Sequence, residues 1–120
     1  MTNQPHKNYD LEQRTLQFSK DIRGFVKLLP KTVSNKEDVV QLIRSSGSVG
    51  ANYIEANESL GKKDFVMRVK ISKKEARESA YWLQLINVGQ ETALISQRDC
   101  LAQEATELMK IFGAIVSKSV

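Results

Sequence analysis

The 120-residue sequence predicts an all-α protein that folds as an antiparallel, up-down-up-down four-helix bundle. Three observations support this fold. Apolar residues recur at spacings of three and four along four segments, as on the buried face of a helix. No segment shows the alternation of apolar and polar residues that is typical of a half-buried strand. The loops between the segments are short, about three to seven residues, so successive helices must fold back on one another.

The first helix is predicted to follow a flexible tail, residues 1–9, and to open the single bundle domain, residues 10–120. Asp10 is placed to cap its N-terminus, because an aspartate side chain accepts hydrogen bonds from free helical amides. Pro30 ends the helix, since the residue before a proline avoids helical geometry. The predicted core face consists of Leu11, Phe18, Ile22, Phe25 and Leu29.

The second helix is predicted to begin at Ser34 or Asn35, to run to about residue 59 and to be broken by Gly61. Its centre, residues 45–51, reads SSGSVGA, which is rich in poor helix formers. The apolar pattern continues in phase on both sides, so the helix is expected to be unbroken. Two interpretations stay open: the small residues allow close packing of another helix, or they form a tight seam in an oligomer.

The third helix is predicted over residues 62–88, with Gly89 ending it, and the fourth is predicted to be capped by Ser96. Their apolar residues recur at helical spacing, and those of the fourth resemble the seam of packed antiparallel helices. The predicted core residues are Phe65, Val69, Ser72, Ala76, Leu83 and Ile86 in the third helix and Leu101, Ala105, Leu108, Phe112 and Ile115 in the fourth.

The net charge of +4 is located entirely in residues 62–78, which hold seven basic and three acidic residues, whereas the rest of the chain has eleven of each. At about 100° per residue, six of these bases share one side of the third helix over roughly 22 Å. We call them the basic stripe: Lys62, Lys63, Lys70, Lys73, Lys74 and Arg77. The stripe is either a solvated face or a surface for phosphates, which would bind it in a salt-sensitive manner. No aromatic residue is interleaved with the stripe, so we expect contact with the nucleic-acid backbone, without base stacking or sequence readout.

A second apolar sector of the third helix holds Met67, Ile71, Trp82 and Leu85. It lies beyond the predicted core face, at about 140° to 200° on the same wheel. It either packs on the neighbouring helix or forms an oligomer surface, where tryptophan is enriched among the residues that dominate binding.

A row of polar residues follows one face of the second helix at spacings of three and four. We call it the polar row: Gln41, Arg44, Ser48, Asn52 and Glu55. It is either a solvated face or a hydrogen-bonded network at a subunit contact, with Arg44 and Glu55 as its charged members.

The residues needed for common catalytic sites are scarce, so we expect a protein that is not an enzyme and that has no metal or cofactor. Helical bundles can hold di-iron sites built from Glu and Glu-x-x-His, but the only histidine, His6, lies in the predicted tail. The Glu55–Glu58 and Glu104–Glu107 pairs therefore lack a partner. Cys100 is expected to be a small, partly buried residue rather than a nucleophile.

The cellular compartment is expected to be the cytoplasm. The N-terminal residues lack the apolar region of a signal peptide, and no apolar run is long enough to span a membrane. A single cysteine fits a reducing compartment.

The polar row and its surroundings resemble the family of four-helix-bundle proteins encoded in 23S ribosomal RNA intervening sequences. The resemblance covers residues 10–90 and is specific in residues 41–65, where it consists of the polar row with Val49 and Ala51, followed by Lys63-Asp64-Phe65. Leu28-Leu29-Pro30, Glu78 and Leu83 also match the family pattern. The chain departs from it at Ala56, where the family usually has glycine, and at Lys74-Glu75, where Gly-Ser is usual.

This resemblance implies a cytoplasmic bacterial protein that assembles as a ring, typically a homopentamer. It also implies kinship with accessory proteins of diversity-generating retroelements, which are basic bundles that bind nucleic acid and a reverse transcriptase. The first functional hypothesis is therefore an oligomer that binds the backbone of RNA or DNA through the basic stripe. The alternative is a scaffold or adaptor that docks an acidic protein, such as a reverse transcriptase or a ribonucleoprotein component.

Overall fold

A computed structural model of the chain describes residues 10–120, which form four α-helices. These are α1 (Leu11–Val26), α2 (Val33–Asn57), α3 (Lys62–Leu85) and α4 (Thr92–Ser119). Within this part of the chain there is no strand, and the predicted all-α class is confirmed. The predicted flexible tail and His6 lie outside the described residues.

The helices close into a bundle in which α1 and α3 each pack against both α2 and α4. Side-chain hydrogen bonds fix the antiparallel order. At the end of α2, Asn57 donates to Glu12 in the first turn of α1 over 2.8 Å. Near the start of α2, Asn35 donates to the carbonyl of Asn87, just past the end of α3, over 2.8 Å. These contacts show that α2 runs antiparallel to α1 and to α3. The short connection at residues 86–91 then returns α4 along α3, which completes the up-down-up-down order.

The core agrees closely with the predicted apolar faces. Phe18, Ile22, Phe25 and Leu29 of the first segment are buried, and the other helices contribute buried aliphatic side chains and Phe112. The ring of Phe112 packs against Tyr53 of α2, with centroids 5.6 Å apart. Leu11, Phe65 and Ile115 are only partly buried but pack against this core. Two buried residues of α3, Val66 and Ser79, were not predicted.

The start of α2 was predicted wrongly. Thr32 is its cap, and the threonine hydroxyl accepts a hydrogen bond from the amide of Asn35 over 3.1 Å. Asn35 instead has a buried side chain that forms hydrogen bonds to two connections, the one between α1 and α2 and the one between α3 and α4. Its amide nitrogen donates to the carbonyl of Pro30 over 3.0 Å, and its Oδ1 accepts from the amide of Asn87 over 3.0 Å.

The connection between α3 and α4 also differs from the prediction. Helix α3 ends at Leu85 because Ile86 takes an extended conformation, with a ψ of 137°. Gly89 lies in the following turn, where its φ of +70° suits a residue without a Cβ atom. Helix α4 then begins at Thr92, four residues before the predicted cap Ser96, and Glu91 occupies the cap position without a side-chain hydrogen bond.

The small residues at the centre of α2 serve close packing within the chain, the first of the two interpretations. A Cβ atom on Gly50 would lie 2.7 Å from Oγ1 of Thr15 in α1, which is too close for a carbon–oxygen contact. On the side facing α3, Ser72 donates to the carbonyl of Val49 over 2.8 Å. Ser45 and Ser79 share a buried hydrogen bond of 2.9 Å. The helix is unbroken, as predicted.

Candidate nucleic-acid interface on α3

The basic stripe lies on the outer face of α3, and all six of its residues are exposed. Across residues 10–120, none of them forms a salt bridge, and the basic residues that do so there are Arg14 and Arg98. A positive charge without a carboxylate partner remains available to an anionic ligand. The structure thus brings the six predicted residues together on one surface.

One residue of the stripe, Lys73, lies beside α4. Its side-chain carbons pass close to Gly113, 3.6 Å from the position that a Cβ atom would occupy there. Val66, on the same side of α3, is buried. Lys70, Lys74 and Arg77 are also exposed, and at about 100° per residue they fall further round α3 from Lys73, at about 60° to 120° from Lys62.

The second apolar sector of α3 divides between core and surface. Trp82 is half-buried and packs against the core. Met67 and Leu85 are 49% and 51% exposed, and Ile71 is intermediate. Neither of the two interpretations therefore applies to the whole sector.

An exposed aromatic residue extends the stripe, contrary to the prediction that no aromatic side chain accompanies it. Tyr81 is 60% exposed and follows Arg77 by four residues, or about one helical turn. Its ring meets the ring of Trp82 edge to face, with centroids 5.0 Å apart and an interplanar angle of 77°. Tyr81 falls in the same sector of the helical wheel as the stripe, so its position follows from the sequence once uncharged residues are included.

Acidic residues adjoin the stripe at Glu75 and Glu78. Burial raises the pKa of the Glu75 carboxyl, and the neighbouring charge of Glu78 raises it further, whereas Lys74 opposes both effects. In the described part of the chain, Glu75 forms no salt bridge. It therefore weakens the positive surface without holding any stripe residue in place.

The polar row does not form a continuous hydrogen-bonded network in the monomer. Asn52 donates to the carbonyl of Ser48 over 2.9 Å and accepts from Arg68 of α3 over 3.2 Å. This bond explains the asparagine in mid-helix, because its amide links α2 to α3. Arg44 and Glu55 are exposed, whereas Gln41, Ser48 and Asn52 are partly buried.

A cluster of charges that the sequence analysis did not predict joins α1 to α4. Arg14 donates two hydrogen bonds of 2.8 Å to the carboxylate of Glu104 and one of 2.9 Å to Glu107. The bonds to Glu104 are the main cause of a raised pKa of the guanidinium, against the effect of burial. Hydrogen bonds from Gln103 and then Arg14 lower the pKa of Glu107. These acids, considered above for a metal site, stabilise the bundle instead.

The remaining candidates give no catalytic cluster. Cys100 is exposed, so the expectation of partial burial was wrong; it lies at a helix surface, where its side chain borders an open groove between α1 and α4. Residues 10–120 contain no group of three or more acidic, histidine or cysteine side chains arranged to hold a metal ion. No helix in this range has both the length and the apolar character needed to cross a membrane.

Fold and surface together define a small antiparallel helical bundle with one strongly basic helix face. The family model for the 23S rRNA-intervening sequence protein matches residues 7–114, and the chain belongs to this family. A similar solved structure is that of a protein of unknown function from the S23 ribosomal protein family of Bacteroides thetaiotaomicron VPI-5482. That chain is 30% identical and superposes with a TM-score of 0.73 over 89% of this chain and 98% of its own length. No curated protein gave a significant match.

Proposed function

We propose that this protein is a non-catalytic, cytoplasmic nucleic-acid-binding protein that holds the phosphate backbone of RNA or DNA on the basic stripe. The observation that carries the proposal is that six lysine and arginine side chains are exposed on one helix face. None of them has a carboxylate partner within residues 10–120. Each would act as a point charge toward phosphate, releasing counterions on binding.

The distribution of charge favours a polyanion over a solubilising role. Surface charges that serve solubility are commonly interspersed in sign. Here the whole net charge lies in residues 62–78, while the rest of the chain is neutral. The stripe extends about 22 Å along α3, a length that several phosphates of one strand could contact together.

The proposal includes assembly into a homo-oligomer, with a pentamer expected from the family resemblance. The exposed members of the polar row, Arg44 and Glu55, would contribute to the subunit contact on α2. Several copies of the stripe on one particle would raise the avidity for a long polyanion without any new contact. Light scattering measures this directly, and a monomeric mass would contradict the oligomer.

Filter binding of labelled RNA and DNA across a salt series tests the proposed function. We expect retention at low salt and a log affinity that falls linearly with log salt, with a slope of about 0.7 to 0.9 per phosphate contact. The triple charge reversal Lys70→Glu, Lys74→Glu and Arg77→Glu should lower affinity at low salt by at least about 100-fold. Lys73 is left unchanged because its side chain packs beside Gly113.

The matched control reverses three exposed lysines outside the stripe, Lys20, Lys27 and Lys31, and so changes the net charge equally. It should retain most of the affinity if the position of the charges matters. Equal losses in the two triple variants would contradict a role for the stripe. Absence of retention at low salt would exclude the function, and capture of an acidic protein by the stripe would support the adaptor in its place.

A further inference from the structure

We infer that the basic stripe continues into a stacking platform at Tyr81, so that the preferred ligand is a nucleic acid with unpaired bases. This inference rests on the proposed function, because it refines which nucleic acid the same surface binds. Tyr81 is the exposed aromatic side chain that lies nearest in sequence to the stripe, and most of its surface faces solvent.

Tyr81 lies on the same face of α3 as two exposed basic residues of the stripe. Lys74, Arg77 and Tyr81 follow one another at spacings of three and four residues, so they share one face of α3. A strand whose phosphates lie along Lys74 and Arg77 would bring its next base to the tyrosine, about 6 Å further along the helix. Proteins that bind single strands combine these two elements, a basic track and aromatic rings.

The ring of Tyr81 is held in place before any ligand binds. Trp82 packs against the core, and its ring meets Tyr81 edge to face at 5.0 Å. An edge-to-face pair restrains the tyrosine and leaves at least one face of its ring free for a second ring. A restrained tyrosine loses little conformational freedom on binding, which favours its use as a contact surface.

Stacking on Tyr81 distinguishes unpaired bases from a duplex. Bases inside a duplex are stacked on each other and are not available to a side chain on a helix surface. Loops, bulges and single strands present free bases whose ring faces accept an aromatic partner without regard to sequence. The surface should therefore prefer unpaired regions and show little sequence preference.

The experiment compares three probes of equal length, which are an oligodeoxythymidylate strand, an abasic strand and a DNA duplex, on the full-length chain. We expect the thymine strand to bind at least about fivefold more tightly than the abasic strand, which has the same phosphates but no bases. Trp82 is the only tryptophan of the chain, so its fluorescence reports on the neighbouring ring without a label. It should change with the thymine strand and not with the abasic strand.

Substitutions then assign the effect to one ring. Tyr81→Ala should remove the preference for the thymine strand, whereas Tyr81→Phe, which keeps the ring, should retain it. The control Leu85→Ala removes a neighbouring side chain of similar exposure and should leave the preference unchanged. Circular dichroism verifies that each variant is folded.

Two outcomes separate this inference from the proposed function. Equal affinity for thymine and abasic strands, or tighter binding of the duplex, overturns the stacking platform and leaves backbone binding intact. Failure of all three DNA probes to bind at low salt overturns the inference, and failure of the labelled RNA as well overturns the proposed function.

Discussion

The two sides of the bundle use basic residues in opposite ways. On the α1–α4 side, Arg14 is paired with Glu104 and Glu107 through three hydrogen bonds and is less than a third exposed. On the outer face of α3, the basic stripe is exposed and forms no salt bridge within residues 10–120. The comparison shows that pairing, rather than the number of charges, separates a cation that stabilises the fold from one that is free to bind a ligand.

The same contrast extends to packing. Where α1 meets α2, Gly50 lies directly against Thr15, and the backbones approach closely. On α3, by contrast, Met67, Tyr81 and Leu85 remain about half exposed. Substitutions around α1 should therefore change stability and leave binding intact, whereas substitutions on the exposed face of α3 should change binding with little effect on stability.

The largest change in stability is expected for Gly50→Ala. The added methyl would overlap Thr15, whose hydroxyl is fixed by bonds to the carbonyls of Leu11 and Glu12, so the helices must separate. We expect the free energy of unfolding to fall by about 1 to 3 kcal/mol, measured by urea denaturation. Gly47→Ala is the matched control, because a Cβ atom there would meet its nearest atoms at 3.8 Å or more.

The control should change stability in the opposite direction, by about 0.5 to 1 kcal/mol, since alanine is a better helix former than glycine. If both glycine variants were stabilised, close packing of α1 on α2 would not be the reason for Gly50.

A smaller loss of stability is expected for Arg14→Gln, about 1 to 2 kcal/mol near neutral pH, because a bidentate, partly buried ion pair is removed. Affinity for nucleic acid should change little. Arg23→Gln is the control, since Arg23 is exposed and, among residues 10–120, bonds only to Ser19 of its own helix. It should change stability by less than about 0.5 kcal/mol.

The effect of Arg14 should also depend on pH. The pKa of Glu107 is lowered in the folded state by Gln103 and Arg14, so its contribution to stability is present above its unfolded pKa. That contribution is lost as the pH falls through the folded value. The difference between the native chain and Arg14→Gln should therefore shrink between about pH 5 and pH 3, followed by denaturation at each pH. A constant difference over this range would contradict the assignment.

The smallest effect is expected on the α3 side, for Glu75→Gln. Burial and Glu78 raise the pKa of Glu75 in the folded state, so its favourable contribution is full below the unfolded pKa and is lost as the pH rises. The variant should gain less than about 1 kcal/mol near pH 7, because solvent screens the site, and nothing below about pH 4.

Loss of this acid should also raise affinity for nucleic acid by up to about twofold at low salt. Glu37→Gln, on the exposed side of α2 and outside the polar row, provides the control for both measurements. A pH-independent gain in the Glu75 variant, or an equal gain in the control, would contradict the role of burial.

The sequence predicts the fold well because apolar periodicity reports directly on burial. It predicts helix ends less well, because they depend on caps: Thr32 caps α2 rather than Ser34 or Asn35, and Glu91 precedes α4 without a capping bond. The six stripe residues were found because a helical wheel needs only sequence. The pairing of Arg14 with Glu104 could not be found in this way, because it joins residues 90 positions apart.

Tyr81 illustrates a different limit. The side of α3 on which Tyr81 lies, relative to the stripe, follows from the sequence. Its exposure and its contact with Trp82 depend on how α3 is rotated about its own axis in the bundle. Adjacent residues on a helix point about 100° apart, so one of the two rings can pack on the core while the other faces solvent. The rotation is set by the packing of the whole helix rather than by any local motif.

The buried amide of Asn35 has a consequence for the dynamics of the molecule. It bonds the carbonyl of Pro30 in one connection and both backbone polar groups of Asn87 in the other. Neither connection can detach without leaving a buried polar group unpaired, which is costly. These two turns therefore form one cooperative unit, and the amide hydrogen of Asn87 should exchange with solvent only when that whole end of the bundle opens.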